Sequence, residues 1–133
     1  MTSVQFYDCP VVIPYYGGKF RLSNQLVPML ATHERYIEVF AGGLSMFFRK
    51  KKARYSIVND IDNDIVNLYT CVVSQLEKLI DTLLWLPKSR TLFNDAKSAV
   101  HSTKDINIPD VERAAKYFYC IRNAFNKIPY GSF

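Results

Sequence analysis

The sequence predicts an α/β fold, and three observations predict it. A short β-prone run, Tyr36 to Phe40, is followed at once by the turn-formers Ala41, Gly42 and Gly43. Leu44 to Arg49 then carries an apolar helical face. A second β-prone run, Tyr55 to Val58, ends against Asp60 and Asp62. The order strand, turn, helix, strand makes the two strands parallel. It also sets backbone N–H groups and a helix N-terminus beside the carboxyl end of the first strand. A carboxylate at the tip of the neighbouring strand accepts hydrogen bonds from a ribose diol, so the unit reads as a nucleoside cradle.

With 133 residues the chain has the size of one domain or a piece of one. A hydrophobic share of 49% supports a folded core rather than disorder. The net charge of +5 suits an anionic partner such as nucleic acid, as it also suits an ordinary basic domain. Cys9, Cys71 and Cys120 are far apart and lack a Cys-x-x-Cys spacing, which argues against a disulfide framework or zinc site and for a reducing cytoplasm. No apolar run approaches membrane-spanning length, and the first residues do not read as a signal peptide.

Residues 1–14 read as a leader ending in the apolar run Val11 to Ile13. The following Pro14-Tyr15-Tyr16-Gly17-Gly18-Lys19 is either an ordinary turn before a helix or a place where the backbone passes close to a ligand beside a flat aromatic face. Phe20 to Ala31 looks helical, with Leu22, Leu26, Met29 and Leu30 on one side and Pro28 expected to distort or shorten it. After the central unit, Asn63 to Leu86 is the longest helical pattern. Its stripe runs Ile65, Leu68, Tyr69, Val72, Leu76, Leu79, Ile80 and Leu83, with Asp62 or Asn63 as cap and Pro87 as stop. Ser89 to Ser102 predicts a shorter helix and Thr103 to Asn107 a polar connection. Pro109 to Asn126 is a last helix, with Val111, Ala114, Ala115, Phe118, Ile121 and Phe125 on its apolar face. Lys127 to Phe133 is a turn-like aromatic tail. The chain thus divides into a strand-bearing core, residues 1–62, and a helical segment, residues 63–133.

Two strands, at most three, are too few for a self-sufficient parallel sheet, which is normally buried on both faces. The chain therefore reads as the first half of a domain, and an unpaired apolar edge invites a second chain or self-association.

Several features carry bland readings. The chain has neither the Gly-x-Gly-x-x-Gly of a dinucleotide dehydrogenase nor a complete phosphate-binding loop. Asp62 and Asp64 read as helix capping and solvated surface, so no metal site is expected. His33 and His101 are isolated. The basic run Arg49, Lys50, Lys51, Lys52 and Arg54 reads as the solvated end of a helix, with phosphate contact as the alternative. Tyr117, Phe118, Tyr119 and Phe125 read as core.

Three motifs stand in register: Pro-Tyr-Tyr-Gly-Gly-Lys at 14–19, Tyr-Ile-Glu-Val-Phe-Ala-Gly-Gly at 36–43 and Asn-Asp-Ile-Asp at 59–62. In order and spacing they resemble the DNA adenine methylase family, as does the later Arg-Ala-Ala-Lys-Tyr-Phe-Tyr…Arg-Asn-Ala-Phe-Asn, over roughly residues 11–126. The resemblance implies methyl transfer from S-adenosylmethionine to the exocyclic amine of adenine in double-stranded DNA, on a Rossmann-like sheet and without a metal. Restriction-modification is the setting it implies. It places Tyr15 beside the donor, Lys19 on the donor's carboxylate, and Glu38, Phe40, Gly42 and Gly43 under its methionine moiety. Asp60 would hold the ribose hydroxyls and Ile61 would pack on the adenine. Arg122, Asn126 and Lys127 fall where the family's DNA-reading surface begins.

The sequence departs from the family pattern at four places. Val39 stands where the family usually has Pro. Leu44 stands at the second glycine of Phe-x-Gly-x-Gly, and Lys127 at another usual glycine. The catalytic Asp-Pro-Pro-Tyr does not occur in these 133 residues. That motif's acid and proline carbonyl accept hydrogen bonds from the target amine, and its tyrosine stacks on the flipped base. With no catalytic residues of its own, the chain is expected to be the donor-binding half of a methyltransferase, inactive alone. The alternative is a non-catalytic module that binds DNA or the donor, or dimerises.

Overall fold

The computed structural model describes residues 10–102, 105–127 and 131–132. The readings made for Cys9 and the rest of residues 1–9, for Thr103 and Lys104, and for residues 128–130 and 133 lie outside the described residues. The chain divides into two compact units, one ending at Ile61 and the other beginning at Asp62.

The first unit contains α1 (Phe20–Met29), β1 (Arg35–Glu38), α2 (Ser45–Arg49) and β2 (Tyr55–Val58). β1 and β2 pair in parallel, from Arg35 opposite Tyr55 to Glu38 opposite Val58. The second strand has the predicted bounds. The first starts one residue early and stops at Glu38, yet its ladder continues into the turn: Asn59 N–H donates to Glu38 O at 2.8 Å and Ala41 N–H to Asn59 O at 2.9 Å. Because side chains alternate, Tyr36 and Glu38 share one face of β1. Tyr36 packs there with Val27, Met46, Leu26 and Leu30. On the other face, the register partners Ile37 and Ile57 are both exposed.

Two expectations for this unit are corrected. In α1 the buried residues are Ser23 and Val27, while Leu22 and Met29 are exposed. Of the expected side only Leu26 and Leu30 pack inward, and polar bonds also fix that face: Arg49 donates to Phe20 O at 3.0 Å and to Ser23 Oγ at 2.8 Å. The basic run is not a solvated helix end throughout. Arg49 and Lys50 are buried, and only Lys51, Lys52 and Arg54 are exposed. Hydrogen bonds and aromatic faces make that burial tolerable, since Arg49 lies 4.3 Å from the Phe20 ring centroid and Lys50 4.0 Å from that of Tyr36.

The second unit is helical: α3 (Asn63–Ser74), α4 (Leu76–Leu84), α5 (Arg90–Ser102) and α6 (Val111–Asn123), then a 3-10 turn at Phe125–Lys127. The single helix expected over Asn63 to Leu86 is two. Gln75 steps out of helical geometry at φ −142°, donating to Cys71 O while its own carbonyl opens α4. Weak helix formers crowd the break, and the Thr70 and Ser74 hydroxyls bond back to carbonyls four residues earlier. The predicted stripe splits accordingly. Ile65, Leu68, Tyr69 and Leu79 are buried, whereas Leu76 and Ile80 are exposed. Asp62 caps α3 by accepting from Asp64 N–H at 2.9 Å, and Asp110 caps α6 by accepting from Arg113 N–H at 2.9 Å.

Asp64 is not solvated surface. It is buried and forms a two-point bond with Arg113, Nε to Oδ1 at 2.6 Å and Nη2 to Oδ2 at 3.1 Å. The fully buried Asn67 amide bonds both the carbonyl and the N–H of Asp110, and Tyr117 Oη donates to Asp62 Oδ2 at 2.8 Å. These pairs lock α3 to α6. Phe93, Ala96, Tyr119, Cys120 and Ala124 form an apolar cluster beside them. Tyr117 and Tyr119 are core as expected, but Phe125 is exposed. Helix α6 ends at Asn123 and Ala124 is extended, so Phe125 leaves the buried face. Cys71 and Cys120 are buried free thiols. Among the described residues, no helix is long and apolar enough to cross a membrane.

Candidate functional site

Two glycine turns of the first unit meet at one tyrosine. Gly18 N–H donates to Tyr15 O at 2.9 Å, and Gly17 takes φ +71°, as the third position of a type II turn requires. A Cβ on Gly18 would lie 2.9 Å from that same carbonyl, so only glycine closes the turn this tightly. The second turn follows β1. Gly42 takes φ +48°, and Cβ atoms on Gly42 and Gly43 would come within 3.3 and 3.2 Å of the Tyr15 side chain. The three motif segments therefore close on one another: Tyr15 covers the Gly42–Gly43 bend, and Asp60 Oδ2 accepts from Gly42 N–H at 2.9 Å.

The result is a cleft of about 180 Å³. Tyr15, Lys19, Glu38, Phe40, Gly42, Gly43 and Asp60 all line it, joined by Gly17, Gly18, Ala41 and Ser45. Its volume is below the roughly 300–1,000 Å³ of complete small-molecule pockets, so it suits part of a nucleoside-sized ligand. Lys19 Nζ donates to Phe40 O at 3.1 Å and stands 3.7 Å from Glu38 Oε1. Glu38 is 7% exposed. Burial pushes its carboxyl above the usual range, and the Tyr36 hydroxyl, Lys19 and Lys50 oppose that rise.

Chemically, the cleft offers a cation and an anion side by side near the β1 carboxyl end, a flat ring, and a carboxylate already engaged by a main-chain N–H. The first pair suits a ligand end bearing both an amine and a carboxylate; the Asp60 carboxylate suits hydroxyls. Among the described residues, no group of three His, Cys, Asp or Glu side chains is placed to hold a metal.

Other predicted residues lie elsewhere. Ile61 is 97% exposed and does not line the cleft. Arg122, Asn126 and Lys127 belong to the second unit, all exposed at and beyond the end of α6. Lys127 donates to Arg122 O at 2.6 Å. Two positions where the resemblance expects glycine hold larger residues in left-handed backbone: Leu44 at φ +50° and Lys127 at φ +55°. Sequence reasoning did not foresee the Tyr36 bond to Glu38 or the burial of Lys50 over the Tyr36 ring. Tyr36 was within reach, because a residue two before Glu38 on a strand shares its face. Lys50 was hidden in a basic run whose usual fate is solvent.

Comparison with known proteins follows the same residues. The family profile for D12 class N6 adenine-specific DNA methyltransferases matches residues 15–130. The chain is similar to a type II methyltransferase of Lactococcus lactis subsp. cremoris, at 27% identity over 88% of this chain and 46% of that protein. It is also similar to a DNA N-6-adenine-methyltransferase of Escherichia phage P1, at 28% identity over 86% of this chain and 15% of that protein. The chain thus spans about half the length of the first relative and a much smaller share of the second.

Proposed function

This chain belongs to the D12 class N6 adenine-specific DNA methyltransferase family, and on that premise we propose that its first unit holds S-adenosylmethionine for methylation of adenine in double-stranded DNA. The observation that carries this reading is that Lys19 and Asp60 line one cleft on either side of the Phe40–Gly43 bend. Lys19 takes the donor's carboxylate as a fixed cation and Glu38 its amine. Asp60 takes the ribose hydroxyls, and Tyr15, Phe40, Gly42 and Gly43 shape the wall between the two ends. Ile61, exposed just beyond Asp60, is the surface on which the adenine rests. Once bound, the donor supplies a sulfonium methyl. The protein's part is to orient it, without a metal and without a covalent bond to the enzyme.

The helical unit begins the DNA-reading part, with Arg122, Asn126 and Lys127 contacting the duplex chiefly through its phosphates. The two parallel strands are the nucleus of a Rossmann-like sheet. Transfer itself needs a segment bearing Asp-Pro-Pro-Tyr, which residues 1–133 do not contain. We place that segment on a second chain or a longer product, at the open strand edge. Self-association is the other way to cover the exposed Ile37 and Ile57. A reducing cytoplasm is the compartment.

The test is calorimetry with S-adenosylmethionine, alongside methyl transfer to duplex DNA. The expected result is donor binding with no turnover by residues 1–133, and loss of binding in Asp60→Ala and Lys19→Ala. Absence of binding at millimolar donor would overturn the donor assignment. Robust turnover by this chain alone would overturn the dependence on a second segment.

A further inference from the structure

Glu38 is the most enclosed charged group of the cleft, and it is held from both sides. Lys19 stands 3.7 Å from its Oε1. On the far side the Tyr36 hydroxyl donates to Oε2 at 3.0 Å. Tyr36 and Glu38 are two residues apart on β1, so the strand's own period aims both side chains the same way. Over the Tyr36 ring lies the Lys50 ammonium, 4.0 Å from the ring centroid and 5.8 Å from that of Phe47. It is buried, and donates to Lys51 O at 3.2 Å. Neither Tyr36 nor Lys50 lines the cleft. They stand behind the residue that does.

We propose that Tyr36 and Lys50 are positioning residues for Glu38: Tyr36 fixes its Oε2 and so leaves Oε1 on the Lys19 side, and Lys50, seated on the Tyr36 ring, adds a buried positive charge behind it, so that a bound amine meets a carboxylate rather than a carboxylic acid. This rests on the reading of the cleft as the donor site.

The charges around Glu38 make the arrangement consistent. Lys19 meets it from the turn before α1 and Tyr36 from β1, while Lys50, at the end of α2, lies over the Tyr36 ring. Asp60, beyond β2, is the cleft's other carboxylate and is turned onto the Gly42 N–H. Burial raises Glu38 toward neutrality; the Tyr36 hydrogen bond, then Lys19 and Lys50, oppose it. Burial and the adjacent carboxylate push the Tyr36 phenol far up, so it remains a donor at any working pH. Burial lowers Lys50, and the Glu38 charge restrains that fall. Without Tyr36 or Lys50, the same burial would leave Glu38 protonated to a higher pH.

The experiment is a carboxyl-carbon NMR titration of ligand-free protein labelled at glutamate, in the wild type and in Tyr36→Phe, Lys50→Met and Lys50→Arg. The sequence has four glutamates, at 34, 38, 77 and 112, and Glu38→Gln assigns the relevant signal. The Glu38 midpoint is expected to move up in Tyr36→Phe and in Lys50→Met, and to return in Lys50→Arg. Donor affinity at neutral pH should fall about tenfold in Tyr36→Phe, the size of one hydrogen bond to a charged group. The pH at which donor binding sets in should rise with the midpoint. A purely structural role would lower thermal stability without moving either pH. A Glu38 midpoint unchanged in both folded variants overturns the proposal. If the wild type binds no donor, it is the donor assignment that fails, and the carboxyl titration still decides what Tyr36 and Lys50 do to Glu38. Phenylalanine keeps the Tyr36 ring and methionine the Lys50 stem, so the packing at Met46 and Val27 persists.

Discussion

The two units bury polar groups to opposite ends. In the helical unit they face each other: Asp64 meets Arg113, Asn67 meets the Asp110 backbone and Tyr117 meets Asp62. Both members of each pair are held, and the pairs fix how α3 lies on α6. In the strand-bearing unit the polar groups converge on a space. Lys19, Glu38 and Asp60 border one cleft, where Lys19 donates to Phe40 O, Asp60 accepts from Gly42 N–H and Glu38 lies between Lys19 and the Tyr36 hydroxyl. Closed polar pairs fix how two helices meet, while the polar groups that border the cleft are the ones the proposed donor would meet.

The comparison breaks most visibly at the closed pairs. Arg113→Met removes the two-point partner of buried Asp64, and truncating one partner of a buried ion pair costs about 3–5 kcal/mol. Thermal or denaturant unfolding should register that loss, and a change under about 1 kcal/mol would show that the pair is not the lock described. The cleft should behave in the reverse way. Lys19→Ala and Asp60→Ala are expected to leave unfolding within about 0.5 kcal/mol of the wild type. They should weaken donor binding on the order of tenfold to a hundredfold, the loss of one charge-assisted contact.

Glu38→Gln sharpens the contrast with a gain. The Glu38 carboxyl is raised by burial in the folded state. Its neutral form therefore favours folding at acid pH, and that contribution is lost as pH rises through the raised value. The amide variant should match the wild type in acid and melt at a higher temperature near neutral pH, while binding donor less well. Melting curves across pH check this; a less stable variant at neutral pH would contradict it. The smallest effect belongs to Leu44, buried in left-handed backbone at φ +50°. Leu44→Gly and Leu44→Ala both lose the leucine packing, glycine by one methyl more, but only glycine relieves the backbone. Gly should be the more stable by about 1 kcal/mol, the reverse of its usual order in a helix.

What was legible in the sequence was local. The β-prone run Tyr55–Val58 became β2 with its predicted ends, and Asp62 caps α3, because both depend on adjacent residues. The turn glycines, Lys19 and Asp60 were found as spaced motifs, and parallel pairing brings their segments to one end of the sheet. What was not legible depends on partners far away in the chain. Asp64 looked like surface because Arg113 lies 49 residues on. Arg49 and Lys50 looked like a solvated run because nothing in their own stretch shows Ser23 or the Tyr36 ring waiting for them. On α1, Leu22 and Met29 are exposed while Leu26 and Leu30 pack inward, so the leucine spacing showed only half of its buried side. The break at Gln75 escaped because the apolar period continues through it and records faces, not kinks.

The central claim is that the Phe40–Gly43 bend, flanked by Lys19 and Asp60, receives the methyl donor. Backbone amide NMR of residues 1–133 during titration with S-adenosylmethionine reads it most directly. The account predicts saturable shifts centred on Gly17, Lys19, Gly42, Gly43 and Asp60, abolished in Asp60→Ala. Shifts centred instead on the helical unit, or none at millimolar donor, would contradict it.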